Sequence, residues 1–232
     1  TERAPGGIAF GLGHAVVGRN RLVVDRKGNG RMYGQTNTPD FSHVQGYEDH
    51  SINFLATYQP DGTLSGLVVN IACPAQAETS GRQVSADFWH DTRAELRRRF
   101  GDGLFILPQV SAAGDQDTNE LFESAAARRM ARLAGRTSRE EIAVRIAHAA
   151  DRVLPLIRSE IDWRPAFVHH VEVLELPRLN PQRDNPTLPV EVHALRLGAV
   201  GMVTNPFELF LDYAIRIKGR SPAIQTFVVQ LA

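Results

Sequence analysis

The sequence predicts an α/β fold: a mixed sheet flanked by helices in a single layered, catalytic-type domain. Three observations carry that expectation. Short apolar runs alternate with segments of helical period through the middle of the chain. Turn residues separate them, as in Gln59-Pro60-Asp61-Gly62, where proline presets one dihedral and glycine relieves another. Polar residues collect where apolar runs end, the place where α/β proteins tend to carry sites.

The elements follow in order. Residues 5–20 are rich in glycine, lack dinucleotide-fingerprint spacing, and read as an irregular close-packed loop. Leu22–Asp25 reads as a short strand before the turn at 27–30, and 34–46 as a loop. Ser51–Tyr58 and Leu64–Ala72 form a hairpin. Ser85 caps a helix through Phe88, Trp89, Leu96 and Phe100, which Gly101 ends. Leu104–Leu107 is a short apolar strand. Helices are expected over 119–134 and 139–154, the second opened by the capping box Thr137-Ser138-Arg139-Glu140 and kinked or ended by Pro155. Residues 167–177 alternate as a strand, and 178–190 read as a proline-punctuated loop. A hairpin turns at Gly198, Pro206 opens a last helix to Gly219, and 224–231 is a final strand.

Composition narrows the function classes. With 232 residues, 43% hydrophobic and 22% charged, the chain can bury a sizeable core. Twenty-six basic residues balance 26 acidic ones, so no nucleic-acid partner is indicated. One cysteine excludes an internal disulfide scaffold and a cysteine-rich zinc module. No apolar run approaches the roughly 18 residues of a spanning helix, so no transmembrane segment is expected. The chain begins at Thr1 and closes on the apolar run 226–232. It therefore reads as the interior of a longer protein, whose missing N- and C-terminal parts are implied partners, and no compartment follows. A free Thr1 is either a nucleophile or a trimmed end.

Three strand-end segments carry candidate chemistry. In the first, Asn70–Pro74, Cys73 is a metal ligand, a nucleophile or a small buried hydrophobe. In the second, Ser111–Asn119, small residues admit close backbone approach beside Asp115 and Asp117, ahead of a helix N-terminus; plain capping is the alternative. In the third, Asn205–Glu208, Glu208 either suits a helix dipole or ligates a metal. Weaker groups are Glu48-Asp49-His50, the pair Asp87 and His90, His169-His170, and the arginines 93 and 97–99, best read as solvated.

These segments, in this order, resemble the core of the neutral/alkaline ceramidase family, and more closely bacterial ceramidase-like proteins of unassigned substrate. The similar runs are Gly46-Tyr47-Glu48-Asp49-His50, Ser85–His90, Ala113-Gly114-Asp115-Gln116 and Thr204–Leu209. The resemblance implies that residues 1–232 are the central part of one α/β hydrolase domain acting on an amide or related acyl bond with one zinc ion. The substrate would be a small-molecule or lipid-like amide. The family's strand-end His-Pro motif is matched by Cys73-Pro74, and its Pro-Gly-Glu motif by Pro206-Phe207-Glu208, so Cys73 and Glu208 are the implied metal ligands. The family's serine position is occupied by Asp117. Asp117, Asp115 and Asn119 are the implied catalytic residues, and Ser111, Gly114 and Thr118 the implied substrate contacts. The alternative is a non-catalytic relative that keeps the fold for binding or structure.

Overall fold

The computed structural model describes residues 4–78, 84–182 and 185–232, so Thr1 lies outside the described residues. The chain opens with β1 (Gly7–His14), β2 (Arg19–Asn20), β3 (Leu22–Asp25), β4 (Gly30–Met32) and β5 (Phe41–Val44). β6 (Ser51–Tyr58) and β7 (Leu64–Ile71) precede α1 (Phe88–Phe100), β8 (Phe105–Val110) and β9 (Gln116–Asp117). Then come α2 (Ser124–Leu133) and α3 (Ser138–Ile157). β10 (Phe167–Gln182), β11 (Asn185–Leu197), β12 (Val200–Asn205), α4 (Leu211–Arg220) and β13 (Gln225–Gln230) complete the order.

The α/β class is as the sequence indicates, in three layers. One mixed sheet has the order β1-β6-β7-β8, with β7 and β8 parallel. Its outer face is covered by α1 and α3, which bury Phe54, Ile52, Phe88, Leu96 and Ile146 in one dry cluster. The second sheet, β10-β11-β12-β13, packs on the other face, where Phe227 and Val200 meet Leu55 and Phe10. Amide side chains stitch the two sheets together. Asn70 Nδ2 donates to the Val228 carbonyl at 2.8 Å, and Gln225 Nε2 donates to Asn53 Oδ1 at 2.9 Å and to the Gly11 carbonyl at 3.1 Å.

Several expectations change: the cap of α1 is Asp87, not Ser85, α2 begins only at Ser124, and 34–46 includes β5. Residues 7–14 are a strand, not a loop: β1 pairs antiparallel with β6 along its whole length. Its glycines serve helix packing. A Cβ at Gly11 would meet Val153 Cγ1 at 2.6 Å and Ile157 Cγ2 at 2.7 Å, so α3 lies on the bare backbone. Residues 178–190, expected as a loop, largely continue β10 and β11, with an irregularity between Pro177 and Gln182. β11 pairs with β12 only from Ala194 onward, so the prolines before it occupy a two-stranded arm whose outer edges need no N–H donor. The last helix starts at Leu211, not Pro206. Its N-cap, Phe210, offers no side-chain bond; the first N–H, of Leu211, instead donates to Asp115 Oδ1 at 2.8 Å. By contrast, the Thr137 capping box of α3 forms as its sequence signature indicates.

Candidate functional site

The first and second strand-end segments come together where the parallel strands β7 and β8 end. Ser111 N donates to the Ile71 carbonyl at 2.8 Å, which carries the chain from β8 into the 111–117 segment. This segment is almost wholly buried: Ser111, Asp115, Gln116 and Asp117 are all 5% exposed or less. The short pair β2–β9 sets Arg19 opposite Asp117 and Asn20 opposite Gln116. A polar centre forms that no single stretch of sequence signals. Arg21 donates to the Gly114 carbonyl at 2.8 Å and to Gln76 Oε1 at 3.1 Å, and it also contacts the Tyr33 hydroxyl. Burial pushes the Tyr33 phenol up, the Asp117 charge adds to that, and the Arg21 charge opposes it. Tyr33 thus feels a buried carboxylate and a guanidinium together.

Each expected site residue has a definite place. Asp115 is a cross-brace: Oδ1 caps α4 and Oδ2 accepts from Asn20 Nδ2 at 3.1 Å. Asp117 Oδ1 accepts from the Thr118 N–H at 2.6 Å and from its hydroxyl at 3.2 Å. Asp117 Oδ2 accepts from Asn119 Nδ2 at 3.3 Å. Gly114 is crossed by the 206–210 loop, since a Cβ there would strike the Glu208 carbonyl oxygen, and its N–H donates to the Leu209 carbonyl at 2.8 Å. The N–H groups of Ala113 and Gln116 are also engaged, with Gln230 Oε1 and the Ala113 carbonyl. These donors are committed within the fold rather than held out to a developing oxyanion. Among the described residues, Ser111 Oγ, Gln116 Oε1 and Arg21 Nε are buried without a hydrogen-bond partner, as are Asp91 Oδ2 and Gln109 Oε1. Each such atom asks for an explanation, and three of the five belong to the 111–117 segment and the arginine that bonds it.

The metal expectation is overturned. Among the described residues no group of three or more His, Cys, Asp or Glu side chains could hold a metal ion. The two expected ligands show why. Cys73 is wholly buried in the dry cluster behind α1, and its thiol contacts the Pro74 carbonyl at 3.5 Å. Burial pushes that thiol well up, the charges of Asp117 and Asp87 push it further, and Arg21 only partly opposes them. Glu208 lies in the exposed loop before α4, not in the first turn of a helix. Cys73 and Glu208 therefore do not form a zinc site, and the metal-dependent hydrolase expected from the resemblance does not fit these residues.

The weaker groups resolve simply. Asp87 is buried at the N-terminus of α1, where its carboxylate accepts from the N–H groups of Ala77, Glu78 and Phe88, while His90 is exposed. Asp49 pairs with Lys218 at 2.9 Å, and His50 with Glu48 at 3.1 Å. His169 stacks on His193 rather than acting with His170. Arg98 and Arg99 pair with Glu95 on the surface of α1.

A cleft of about 210 Å³ opens beside this centre. Thr118 and Asn119 form one wall, Arg19 and Ala77 another, and α2 and α3 the rest. With that geometry, the chain was compared with known proteins. Along 98% of its length it superimposes on 45% of the neutral ceramidase from Pseudomonas aeruginosa, with a TM-score of 0.66 and 12% identity. A ceramidase complexed with C2 gives a TM-score of 0.68 at 11% identity, over 98% of this chain and 47% of that one. The fold resembles that of just under half of each ceramidase. The chain spans less than half the length of either ceramidase. At such identity the relation is distant and establishes the fold alone. No protein-family model matches the chain. No curated protein sequence matches it. Among the described residues no helix is long and apolar enough to cross a membrane. Beside Thr118 and Asn119, the cleft is lined by residues that the sequence did not single out, above all Arg19, Arg128 and Arg145, which come from three separate elements.

Proposed function

We propose that residues 1–232 are the ligand-binding part of a hydrolase-type domain, and that the cleft beside Thr118 and Asn119 takes a small or lipid-like amide. One observation carries this reading. Buried unpartnered atoms of Ser111, Gln116 and Arg21 belong to the polar centre at the strand ends, which runs on into a cleft of about 210 Å³. The ceramidase fold supports the amide class. Thr118 and Asn119 are the substrate contacts, with Asp115 holding their segment in place.

A second reading, turnover, is favoured by Asp117. Its buried carboxylate is close enough for its charge to push the Tyr33 phenol up, and a carboxylate and a phenol are both groups that serve in acid–base catalysis. The same titration tests both readings. A series of N-acyl amides is added to the full protein, with heat and released amine measured together. Saturable heat supports binding, and no heat from any member sinks it. Amine release that disappears in Asp117→Asn, with binding kept, supports turnover. Equal release by the variant removes it.

A further inference from the structure

β10 is the end strand of the second sheet and, among the described residues, is hydrogen-bonded to a neighbouring strand only through β11. Its side chains alternate between the two faces, and apolar ones are exposed on both: Phe167 is 64% exposed, Val168 and Val173 56%. From Val171 on, the arm is a two-stranded ribbon, since β11 meets β12 only from Ala194 onward. Such a ribbon is marginal without further cover. Exposed edges are normally blunted by lysine, proline or a bulge. Between Phe167 and Leu176 there is no lysine, proline or glycine, and the register with β11 runs unbroken to Pro177.

Read antiparallel against itself, this edge is complementary about Val171. Placing Val171 opposite its own copy sets His170 opposite Glu172, and Val168 opposite Leu174, each pair twice and all on one face. On the other face Val173 meets His169. Within one chain His170 Nε2 lies 3.9 Å from Glu172 Oε2, and the two side chains are 71% and 61% exposed, so both are free to turn across the edge. Centring on Glu172 instead would oppose two carboxylates. Centring on His170 would oppose two imidazoles and set Val168 against Glu172.

We propose that β10 is a self-association edge: two copies of this chain pair their β10 strands antiparallel about a twofold axis at Val171, joining their second sheets into one. Backbone bonds alone accept any extended segment. Both His–Glu pairs and both Val–Leu pairs form together when the edge meets itself, as a twofold interface requires.

The test is sedimentation of the full protein, which is expected to show a dimer. His170→Glu sets carboxylates opposite each other at both pairs and is expected to weaken the dimer at least about tenfold. Adding Glu172→His to that variant exchanges the charges and is expected to restore it. Both positions are exposed, so the fold is kept. Cysteine substitution reads the register. Val171→Cys is expected to cross-link to its own copy on oxidation, because Cα atoms directly opposite lie about 4.5–5.5 Å apart, within disulfide reach. Val173→Cys, facing His169, is expected to cross-link far less, and the native Cys73 is wholly buried. A monomer up to the solubility limit overturns the proposal; slow hydrogen exchange of the β10 amides in that monomer would assign the cover to another part of the protein. A dimer indifferent to His170→Glu places the interface elsewhere. Cross-linking of Val173→Cys in preference to Val171→Cys overturns the register.

Discussion

Two regions around the helix-backed sheet obey opposite rules. Behind β6 and β7, α1 and α3 close a dry core in which Phe54, Phe88, Leu96 and Ile146 are fully buried. Past the ends of β7 and β8, the 111–117 segment and its neighbours bury Asn20, Arg21, Asp115, Gln116 and Asp117 almost as completely, yet these side chains are polar. The first region is held by apolar area, which is non-directional and tolerant of exchange. The second is held by named hydrogen bonds, each specific and each costly to lose. The difference teaches where function sits: the region that departs from hydrophobic burial is the one beside the cleft.

The largest effect should come from the dry side. Ile146→Ala is expected to destabilise by about 3 kcal/mol through a cavity beneath α3. Urea denaturation reads it, and a loss below about 1 kcal/mol would mean that the helix does not seal the sheet. The polar side should respond less, and locally. Asp115→Ala removes the α4 cap and the Asn20 partner, for an expected loss of about 2 kcal/mol. Hydrogen exchange should quicken at the start of α4 and stay unchanged in α3. Uniform quickening would break the contrast, because it would make Asp115 part of the common core.

The same contrast explains what was legible in the sequence. Helix α3 could be read because its period and its cap lie within one stretch, Thr137 through Ile157. The hairpin β6–β7 could be read because its turn lies between its strands. The start of α4 could not, because its cap is Asp115, 96 residues earlier. β1 hid for another reason: glycine is a poor strand former, and Gly11 is there for the helix that lies on it. At the site, Cys73, Ser111 and Asp117 stood out at strand ends. Arg21, Tyr33 and Gln76 did not, since each is ordinary in its own neighbourhood and they meet only in space. The cleft arginines share that obscurity. The resemblance placed a metal at Cys73 by motif position, but the chemistry of the site depends on what surrounds the thiol, and that is apolar packing and negative charge.

The smallest effect tests the rim of the dry region. Hydrogen bonds from Arg98 lead in holding the Glu95 carboxyl down to about 2, from 4.5, with Arg99 adding to them. A depressed carboxyl contributes stability that is present above its ordinary value and is lost as pH falls through the folded one. Glu95→Gln should therefore weaken the fold by under about 1 kcal/mol at neutral pH. It should also flatten the loss of stability between pH 4.5 and about 2, measured by thermal melting across that range. An unchanged acid limb would mean that the arginine pair adds nothing to the stability of α1.

The amide stitch between the two sheets also has a consequence for the order of assembly. Gln225 reaches the Gly11 carbonyl across 214 residues of sequence. Ile8, Phe10 and Val68 belong to the apolar surface that Phe227 of β13 helps to cover. During synthesis the first sheet can form with its helices long before β13 leaves the ribosome. Its second face must then wait uncovered, and the closing contact carries the entropy of a very long loop. The nascent chain thus passes through an interval in which half of its first sheet is exposed, and that interval is when it most needs a chaperone.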